Sequence, residues 1–382
     1  MKPFLDTHLR KILVAYTASK APLDLLLSKY FKDHRALGAN DRRVIGETLY
    51  GMVRWKSLLE ALDPKGDPIA CYRRIDWKTV FDNPCIPTHA RVALSPLLYR
   101  RFVAVFGEEK AKDLGRIFNT PAPITIRVNL LKTTREALLE RWQGTYLVTP
   151  SEQVGTALSF SKREPLFSLP EFKEGLFEVQ DEGSQRIAAL IQAGPTDWIL
   201  DYCSGSGGKT LAVAPHMQGK GQIYLHDVRA AALLEAKKRL KRAGVQNAQC
   251  LPPGHEQLQR LKGRCDWVLA DVPCSGTGTL RRNPDQKWKI DGDMLARLQE
   301  EQRGIVREAF RYVKPEGRLV YATCSILPEE NGEQTAYFLK NFSLVLEQEL
   351  SLLPEEGGID GFYAAVFRKT KNLVESSHGE HA

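Results

Sequence analysis

The sequence predicts an α/β fold: a mostly parallel β-sheet with helices on both faces, preceded by an all-helical region and a small α+β module. From residue 197 onward, short apolar runs alternate with helical segments, as in sheets whose parallel strands are joined by covering helices. Residues 5–118 instead carry apolar residues at helical spacing, with no alternating strand pattern. At 382 residues, the chain is long enough for two or three domains.

The composition is that of a globular protein with reduced thiols. Hydrophobic residues make up 43% of the chain, and no apolar run approaches the roughly 18 residues of a membrane span. The start, MKPFLDTHLR, has no apolar stretch after its charges, so we predict no secretory signal and a cytoplasmic location. The 7 cysteines form no CxxC pair, which argues against a disulfide framework and a metal site. The net charge of +8 fits a polyanionic partner.

Changes of pattern divide the chain. The helical region is predicted to span residues 1–119. A module of residues 120–180 follows, because Ile124, Ile126 and Val128 alternate as in a strand and REALLERW reads as a helix. A third domain, 181–372, begins with a helix that Asp181 or Ser184 would cap, and a polar tail covers 373–382.

Short apolar runs in the third domain give the strands of the sheet. The predicted strands are DWILDYC, QIYLHD, AQCL, CDWVLAD and GRLVYATC. Helices are predicted at KTLAVAPHM and RAAALLEAKKRLKRAG. The last two runs, FSLVLEQEL and GFYAAVFRK, are long enough to pair as an antiparallel hairpin at the sheet edge.

A glycine-rich loop follows the first strand of this domain. In DYCSGSGGKT, glycines at 205, 207 and 208 precede a helix, so that a ligand can approach bare backbone and a helix N-terminus. The pattern is neither a Walker loop nor GxGxxG, and it leaves nucleotides and S-adenosylmethionine equally open. Asp227, at the end of the second strand, is expected to receive ribose hydroxyls, to cap the next helix, or to do both.

Two cysteines stand at predicted strand ends. Cys274 lies in DVPCSGTGTLRRNPDQKW and Cys324 in YATCS. If these strands are neighbours, the thiols are one strand spacing apart, about 4.8 Å, at the edge where α/β sheets bind ligands. The alternative is a pair of structural cysteines. Basic residues after Cys274 offer charge for phosphate, and Trp288 either stacks on a base or fills the core; the basic residues are Arg281, Arg282 and Lys287.

Several stretches resemble one protein family. DYCSGSGGKT, DVPCSGTGTLRRNPDQKW and YATCSILPEENGEQ are similar to the signature motifs of the RsmB/Sun-type RNA cytosine-5 methyltransferases, and ALGANDRRVIGETLYGMVRW resembles the NusB-like RNA-binding domain. IRVNLLKT, FEVQDEGSQ and DGFYAAVF resemble the family's flanking stretches. This resemblance implies a Rossmann-like class I methyltransferase fold with an antiparallel edge strand. The chain departs from the family at Ser204-Gly205-Ser206, where Ala-Ala-Pro or Ala-Gly-Ala is usual, and in LPPGHEQL, which has no Asp for adenine.

The resemblance also implies roles for residues. Cys324 would attack carbon 6 of cytosine, Cys274 would assist expulsion of that thiol, and Asp271 would bind the cytosine edge. Chemistry alone does not choose between the two cysteines. Arg42, Arg43 and Arg54 would contact phosphate or form a charged surface. S-adenosylmethionine would be held by Cys203, Ser204, Gly205, Ser206, Gly207, Gly208, Lys209, Asp227 and Asp271.

The implied partner is RNA, with ribosomal RNA favoured over transfer RNA, and we expect a monomer. Two other functions remain open, and the sequence argues against a third. A DNA cytosine-5 methyltransferase would attack with the cysteine of the PC dipeptide. An amino-methylating enzyme would need an aromatic residue after its proline, as in DPPY, and DVPCSG has none. A non-catalytic RNA-binding assembly factor could retain the same fold.

Overall fold

The computed structural model describes residues 3–19 and 21–370, so the predicted tail at 373–382 lies outside the described residues. The chain forms two compact units. The first comprises residues within 1–122, 275–295 and 354–358. The second comprises residues within 123–274, 296–353 and from 359 onward.

The first unit is built from helices, as the apolar spacing predicts. Asp67 caps α5 by accepting a hydrogen bond from the backbone N–H of Ile69, and Ser95 caps α7 in the same way. The core is aliphatic and includes Leu9 and Leu49, which are completely buried. The helices are α1 (Pro3–Thr17), α2 (Leu23–Asp33), α3 (Ala39–Arg54), α4 (Lys56–Leu62), α5 (Pro68–Arg74), α6 (Thr88–Arg91), α7 (Pro96–Phe106) and α8 (Glu108–Ile117).

Residues 275–295 belong to this helical unit although they follow Cys274 in the sequence. The indole of Trp288 packs against the aliphatic core, and its Nε1 donates to the carbonyl of Val53 at 2.6 Å. Asp285 accepts a hydrogen bond from the backbone N–H of Leu23, at the start of α2, at 3.2 Å. This loop segment is therefore an integral part of the helical core.

The second unit opens with a small antiparallel sheet. Its strands follow the order β2-β3-β1-β4, and α9 spans the REALLERW stretch predicted as a helix. Thr134 caps α9 through the backbone N–H of Ala137. The elements are β1 (Ile124–Val128), α9 (Arg135–Trp142), β2 (Val148–Pro150), β3 (Ala157–Phe160), α10 (Pro170–Glu174) and β4 (Phe177–Val179).

A larger sheet confirms the predicted α/β fold, with strand order β10-β11-β9-β8-β5-β6-β7. Its strands are β5 (Trp198–Asp201), β6 (Gln222–His226), β7 (Ala248–Leu251), β8 (Cys265–Asp271), β9 (Val313–Thr323), β10 (Leu344–Leu352) and β11 (Phe362–Lys369). Its helices are α11 (Glu182–Ala189), α12 (Gly208–Val213), α13 (Ala230–Ala243), α14 (Glu256–Arg260), α15 (Gly292–Phe310) and α16 (Gly332–Asn341). Asp181, one of the two predicted caps of α11, accepts from the backbone N–H of Gly183 at 2.8 Å.

Alternate residues of the strands enter two separate cores. Ile199 and Leu269 belong to one apolar cluster, whereas Leu200 and Val268 belong to the other, as expected for a sheet covered on both faces. β10 and β11 form the predicted antiparallel pair at the sheet edge, with β11 as the inner strand beside β9. β8 and β9 are parallel neighbours in which Asp271 lies opposite Ala322. The two cysteine-bearing loops therefore leave the same edge of the sheet.

Candidate active site

Two thiols meet where β8 and β9 end. The Sγ atoms of Cys274 and Cys324 are 3.3 Å apart, which is hydrogen-bonding distance and well beyond the about 2.05 Å of a disulfide bond. The backbone N–H of Cys324 also donates to the Sγ of Cys274 at 3.3 Å. Both cysteines are partly accessible. The hydrogen bond from Cys274 lowers the pKa of Cys324 below its usual range, although burial and the charge of Asp271 oppose this.

The turn that carries Cys324 is shaped by its polar neighbours. Thr323 donates from its Oγ1 to the Oδ1 of Asn331 at 2.7 Å and accepts from the backbone N–H of Ser325 at 3.2 Å. Asn331 in turn donates to the carbonyl of Ser325 at 3.0 Å. The hydroxyl of Ser325 accepts from the backbone N–H of Leu327 at 3.1 Å, so the hydroxyl residues on both sides of the cysteine in TCS fix the backbone that carries the thiol.

Asp271 and Lys209 form an ion pair beside the thiols. Asp271 ends β8, and Lys209 lies in the first turn of α12, which links the glycine loop to the acid. The ammonium is almost buried, whereas about a third of the Asp271 side chain, 35%, is exposed. Burial lowers the pKa of Lys209, but the charge and hydrogen bond of Asp271 outweigh it and raise that pKa overall. Lys209 therefore stays charged and lowers the pKa of the nearby Cys324 as well.

The glycine loop adopts the tight backbone that its sequence predicts. Gly205 and Gly207 have φ angles of +53° and +78°, in the left-handed region where a side chain would be strained. The backbone N–H of Ser204 donates to the carbonyl of His226 at 2.9 Å, which joins the loop to the end of β6. Cys203, the third thiol of this region, differs from Cys324 because burial strongly raises its pKa. It is not poised as a nucleophile.

Asp227 fastens the glycine loop from the end of β6. Its carboxylate accepts from the backbone N–H of Gly205 at 2.8 Å and from the guanidinium of Arg229 at 3.0 and 3.1 Å. Burial raises the pKa of Asp227, but these hydrogen bonds prevail and lower it. Arg229 is itself the residue that precedes α13, so Asp227 is not the cap of that helix.

Two arginines that hold the glycine loop and the helix after it were not expected from the sequence. Arg239 of α13 donates to the carbonyl and the Oγ of Ser206, at 3.0 and 2.6 Å, and to Glu178 of β4, at 3.0 and 3.1 Å. Arg127 of β1 donates to the carbonyl of Leu211 in α12 at 2.6 Å. The alternation of apolar residues in β1 places Arg127 on the opposite face of the strand from Ile126 and Val128, but it does not indicate which group Arg127 binds.

Asp201 is a further residue to which no role was assigned from the sequence. Its side chain is buried at the end of β5, and its Oδ2 accepts from Thr210 at 2.7 Å. The Oδ1 has no hydrogen-bond partner among the described residues. Burial raises the pKa of Asp201 to about 7. Its position as first residue of DYCSGSGGKT, at the carboxyl end of a strand, was the available signal.

Three of the predicted phosphate contacts are wrong. Arg281 is buried and donates to the carbonyls of Glu355 and Gly358, and Lys287 is completely buried with its Nζ 2.7 Å from the Oδ1 of Asn119. Arg54 donates to the carbonyls of Phe118 and Arg281. The two arginines satisfy backbone carbonyls and Lys287 satisfies a side-chain amide, because the segment after Cys274 packs into a core that short-range sequence patterns do not reveal. Of the other three basic residues, Arg43 and Arg282 are exposed and Arg42 is partly buried.

Comparison with known proteins decides the family. A family model described as 16S rRNA methyltransferase RsmB/F matches residues 188–368, and a model described as a Methyltr_RsmF/B-like ferredoxin-like domain matches residues 96–165. A probable ribosomal RNA small subunit methyltransferase B from Synechocystis is 30% identical over 317 residues, covering 76% of this chain and 70% of that protein. The chain belongs to the RsmB/F family.

Other members of the RsmB/F family, and a solved structure, agree with this assignment. Ribosomal RNA small subunit methyltransferase B from Proteus mirabilis is 35% identical over 259 residues, which is 66% of this chain and 60% of the relative. The match thus spans about three fifths of that relative's length. A methyltransferase homolog from Pyrococcus horikoshii superposes with a TM-score of 0.64 at 27% identity, covering 74% of this chain and 97% of its own. The Rossmann-like fold and the family resemblance are confirmed.

No helix in the described part of the chain is long and apolar enough to cross a bilayer. Within the same residues, no cluster of three or more His, Cys, Asp or Glu side chains is arranged to hold a metal ion.

Proposed function

We propose that this protein transfers a methyl group from S-adenosylmethionine to carbon 5 of a cytosine in RNA, with small-subunit ribosomal RNA as the favoured substrate. The observation that carries the proposal is the pair of thiols 3.3 Å apart at the ends of neighbouring strands. A charged Lys209–Asp271 pair stands beside them. The names of the family and of the relatives support ribosomal RNA over transfer RNA.

The residues around the glycine loop fit S-adenosylmethionine. Bare backbone at Gly205 and Gly207 admits a close ligand, and the unpartnered Oδ1 of Asp201 is an acceptor suited to an ammonium group. Asp227 would receive ribose hydroxyls. Residues 203–209 and Asp271 would complete the site. When bound, this molecule supplies an electrophilic methyl group.

The thiols would supply the activation that cytosine lacks. Carbon 5 is a poor nucleophile until a thiolate adds to carbon 6, and Cys324 is the thiol whose pKa is lowered by the hydrogen bond from Cys274. Formation of the Sγ–C6 bond makes carbon 5 nucleophilic. After methylation, loss of the carbon 5 proton and cleavage of the Sγ–C6 bond restore the ring, with Cys274 assisting departure of Cys324. Asp271 would bind the cytosine edge.

The remaining expectations complete the proposal. RNA would be the macromolecular partner, and the target base would leave its stack to enter the site. We propose a monomer in the cytoplasm, with a NusB-like domain at 1–119, an α+β module at 120–180 and a methyltransferase domain at 181–372. Transfer RNA is the alternative substrate.

Tritium transfer from labelled S-adenosylmethionine tests the proposal. We expect label in small-subunit ribosomal RNA, less in transfer RNA and none in duplex DNA. Cys324→Ser should abolish transfer, whereas Cys85→Ser, at an exposed thiol of the helical unit, should not change it. Transfer to duplex DNA but not to RNA would favour a DNA cytosine-5 methyltransferase. No transfer, together with no binding of S-adenosylmethionine by calorimetry, would favour a non-catalytic assembly factor.

A further inference from the structure

A buried polar network lies beneath the two thiol loops. Its centre is the side-chain amide of Gln302 on α15, which is completely buried. The Nε2 donates to the carbonyl of Pro273, the residue before Cys274, and to the Oε1 of Glu330, each at 3.0 Å. Glu330 belongs to the loop that follows Cys324. One amide therefore bonds both cysteine-bearing loops.

The other half of the amide is held equally firmly. The Oε1 of Gln302 accepts from the Nε2 of Gln334 at 3.0 Å and lies 3.1 Å from the hydroxyl of Tyr321. That hydroxyl also donates to the carbonyl of Glu330 at 2.6 Å. Both donor hydrogens of Gln302 are thus in use and its Oε1 accepts from Gln334, so the orientation of the amide is fixed. A buried hydrogen-bond network of this kind holds its backbone partners rigidly.

We propose that Gln302, supported by the hydroxyl of Tyr321, is a positioning residue that sets the separation of the two thiols. By fixing Pro273 and Glu330, it keeps the Sγ of Cys274 within hydrogen-bonding distance of the Sγ of Cys324. Neither Gln302 nor Tyr321 touches the reacting atoms. The roles of the thiols rest on the proposed function, whereas the coupling between network and thiols does not.

The property that the network should control is the ionisation of Cys324. The groups that act on this thiol are Cys274, Asp271 at the end of β8, Lys209 of α12, and Glu330. The hydrogen bond from Cys274 has the largest effect and lowers the pKa of Cys324. If Pro273 is released, Cys274 is free to move away while Lys209 and Asp271 stay paired on other elements. The pKa of Cys324 should then rise.

Alkylation of Cys324 by iodoacetamide over a pH series, followed by peptide mass spectrometry, tests this inference without RNA or cofactor. Gln302→Leu removes the hydrogen bonds of the amide to Pro273, Glu330 and Gln334 at similar volume, and Tyr321→Phe removes only the hydroxyl that donates to the carbonyl of Glu330. We expect the midpoint of the Cys324 profile to move to higher pH in both variants. The rate at neutral pH should fall about fivefold in Gln302→Leu and about twofold in Tyr321→Phe, as for loss of a typical hydrogen bond.

Glu301→Gln, at the exposed neighbouring position of α15, is the matched control and should reproduce the wild-type profile. Thermal unfolding identifies the variants that fold. If Gln302→Leu does not fold, the Cys324 profile of Tyr321→Phe tests the proposal. A Cys324 midpoint that stays at the wild-type pH in a folded variant would overturn the proposal. A shifted midpoint in a protein that methylates no RNA would leave this inference standing and refute the proposed function.

Discussion

Cys324 and Cys274 are chemically alike, and their surroundings make them different. The turn built by Thr323, Ser325 and Asn331 presents Cys324, whereas Pro273 and the network below it present Cys274. The hydrogen bond between the thiols favours the thiolate of Cys324, which is the form that attacks carbon. Cys203 is only a few residues from Lys209, but no hydrogen bond from another thiol among the described residues lowers its pKa, and burial raises that pKa.

Substitution of each thiol should therefore give a different product. Cys274→Ser should slow expulsion of Cys324 from carbon 6, so that a covalent RNA–protein adduct accumulates. Cys324→Ser should form no adduct, because a serine hydroxyl is not ionised at neutral pH. Denaturing gels of each variant with radiolabelled RNA and S-adenosylmethionine measure the adduct. Accumulation in Cys324→Ser and not in Cys274→Ser would exchange the roles of the two residues.

At the scale of elements, the small antiparallel sheet supports the glycine loop. Glu178 of β4 binds Arg239, which binds Ser206, and Arg127 of β1 binds the carbonyl of Leu211 in α12. Glu178 and Arg127 are both buried. Charge-assisted hydrogen bonds of this kind are stronger than neutral ones. The loop therefore depends for its shape on strands that precede it by more than twenty residues in the sequence.

Arg239→Met should weaken binding of S-adenosylmethionine by about fivefold to tenfold, the effect of losing one or two hydrogen bonds that shape the loop. The methionine retains the aliphatic stem, and Glu178 retains its ion pair with Arg242. Lys238→Met is the matched control, because Lys238 lies on the same helix with 74% of its side chain exposed. Isothermal titration calorimetry compares the two. Equal affinities would show that Ser206 keeps its position without Arg239.

The elements themselves were predictable because each depends on local pattern. The strands of the large sheet, α9 and the cap of α11 at Asp181 all follow from apolar spacing and capping chemistry. The position of β11 between β9 and β10 could not be predicted from the sequence, since strand order depends on packing between distant segments. For the same reason, nothing in the local sequence around Gln302 indicates that its side chain bonds the carbonyl of Pro273.

At the scale of the whole chain, the two units share the sequence in alternating segments. The chain leaves the second unit after Cys274, contributes residues 275–295 to the first, and returns at Ala296. Within the first unit, the Nζ of Lys287 donates to the side-chain oxygen of Asn119, and the indole N–H of Trp288 donates to the carbonyl of Val53. Burial lowers the pKa of Lys287 well below its usual range, because an ammonium there would lack water.

A variant that begins at Thr120 should lose the order of residues 275–295. Without Asn119 and Val53, Lys287 and the indole N–H of Trp288 lose their hydrogen-bond acceptors. Trypsin should then cleave after Lys287. The full chain should resist cleavage at that position under the same native conditions. Lys220, which is exposed in the loop before β6 of the second unit and is followed by Gly221, is the reference site and should be cleaved alike in both proteins. Equal resistance at Lys287 would mean that the segment keeps its fold without the helices.

The register of β8 against β9 limits how this sequence can change in length. Asp271 lies opposite Ala322, and each cysteine follows its strand after a fixed number of residues. Inserting or deleting one residue between Arg318 and Thr323 would turn the succeeding side chains through half a rotation and point the thiol of Cys324 away from Cys274. Evolution can lengthen or shorten the connecting loops of such a protein, but in this stretch it is restricted to exchanging one amino acid for another.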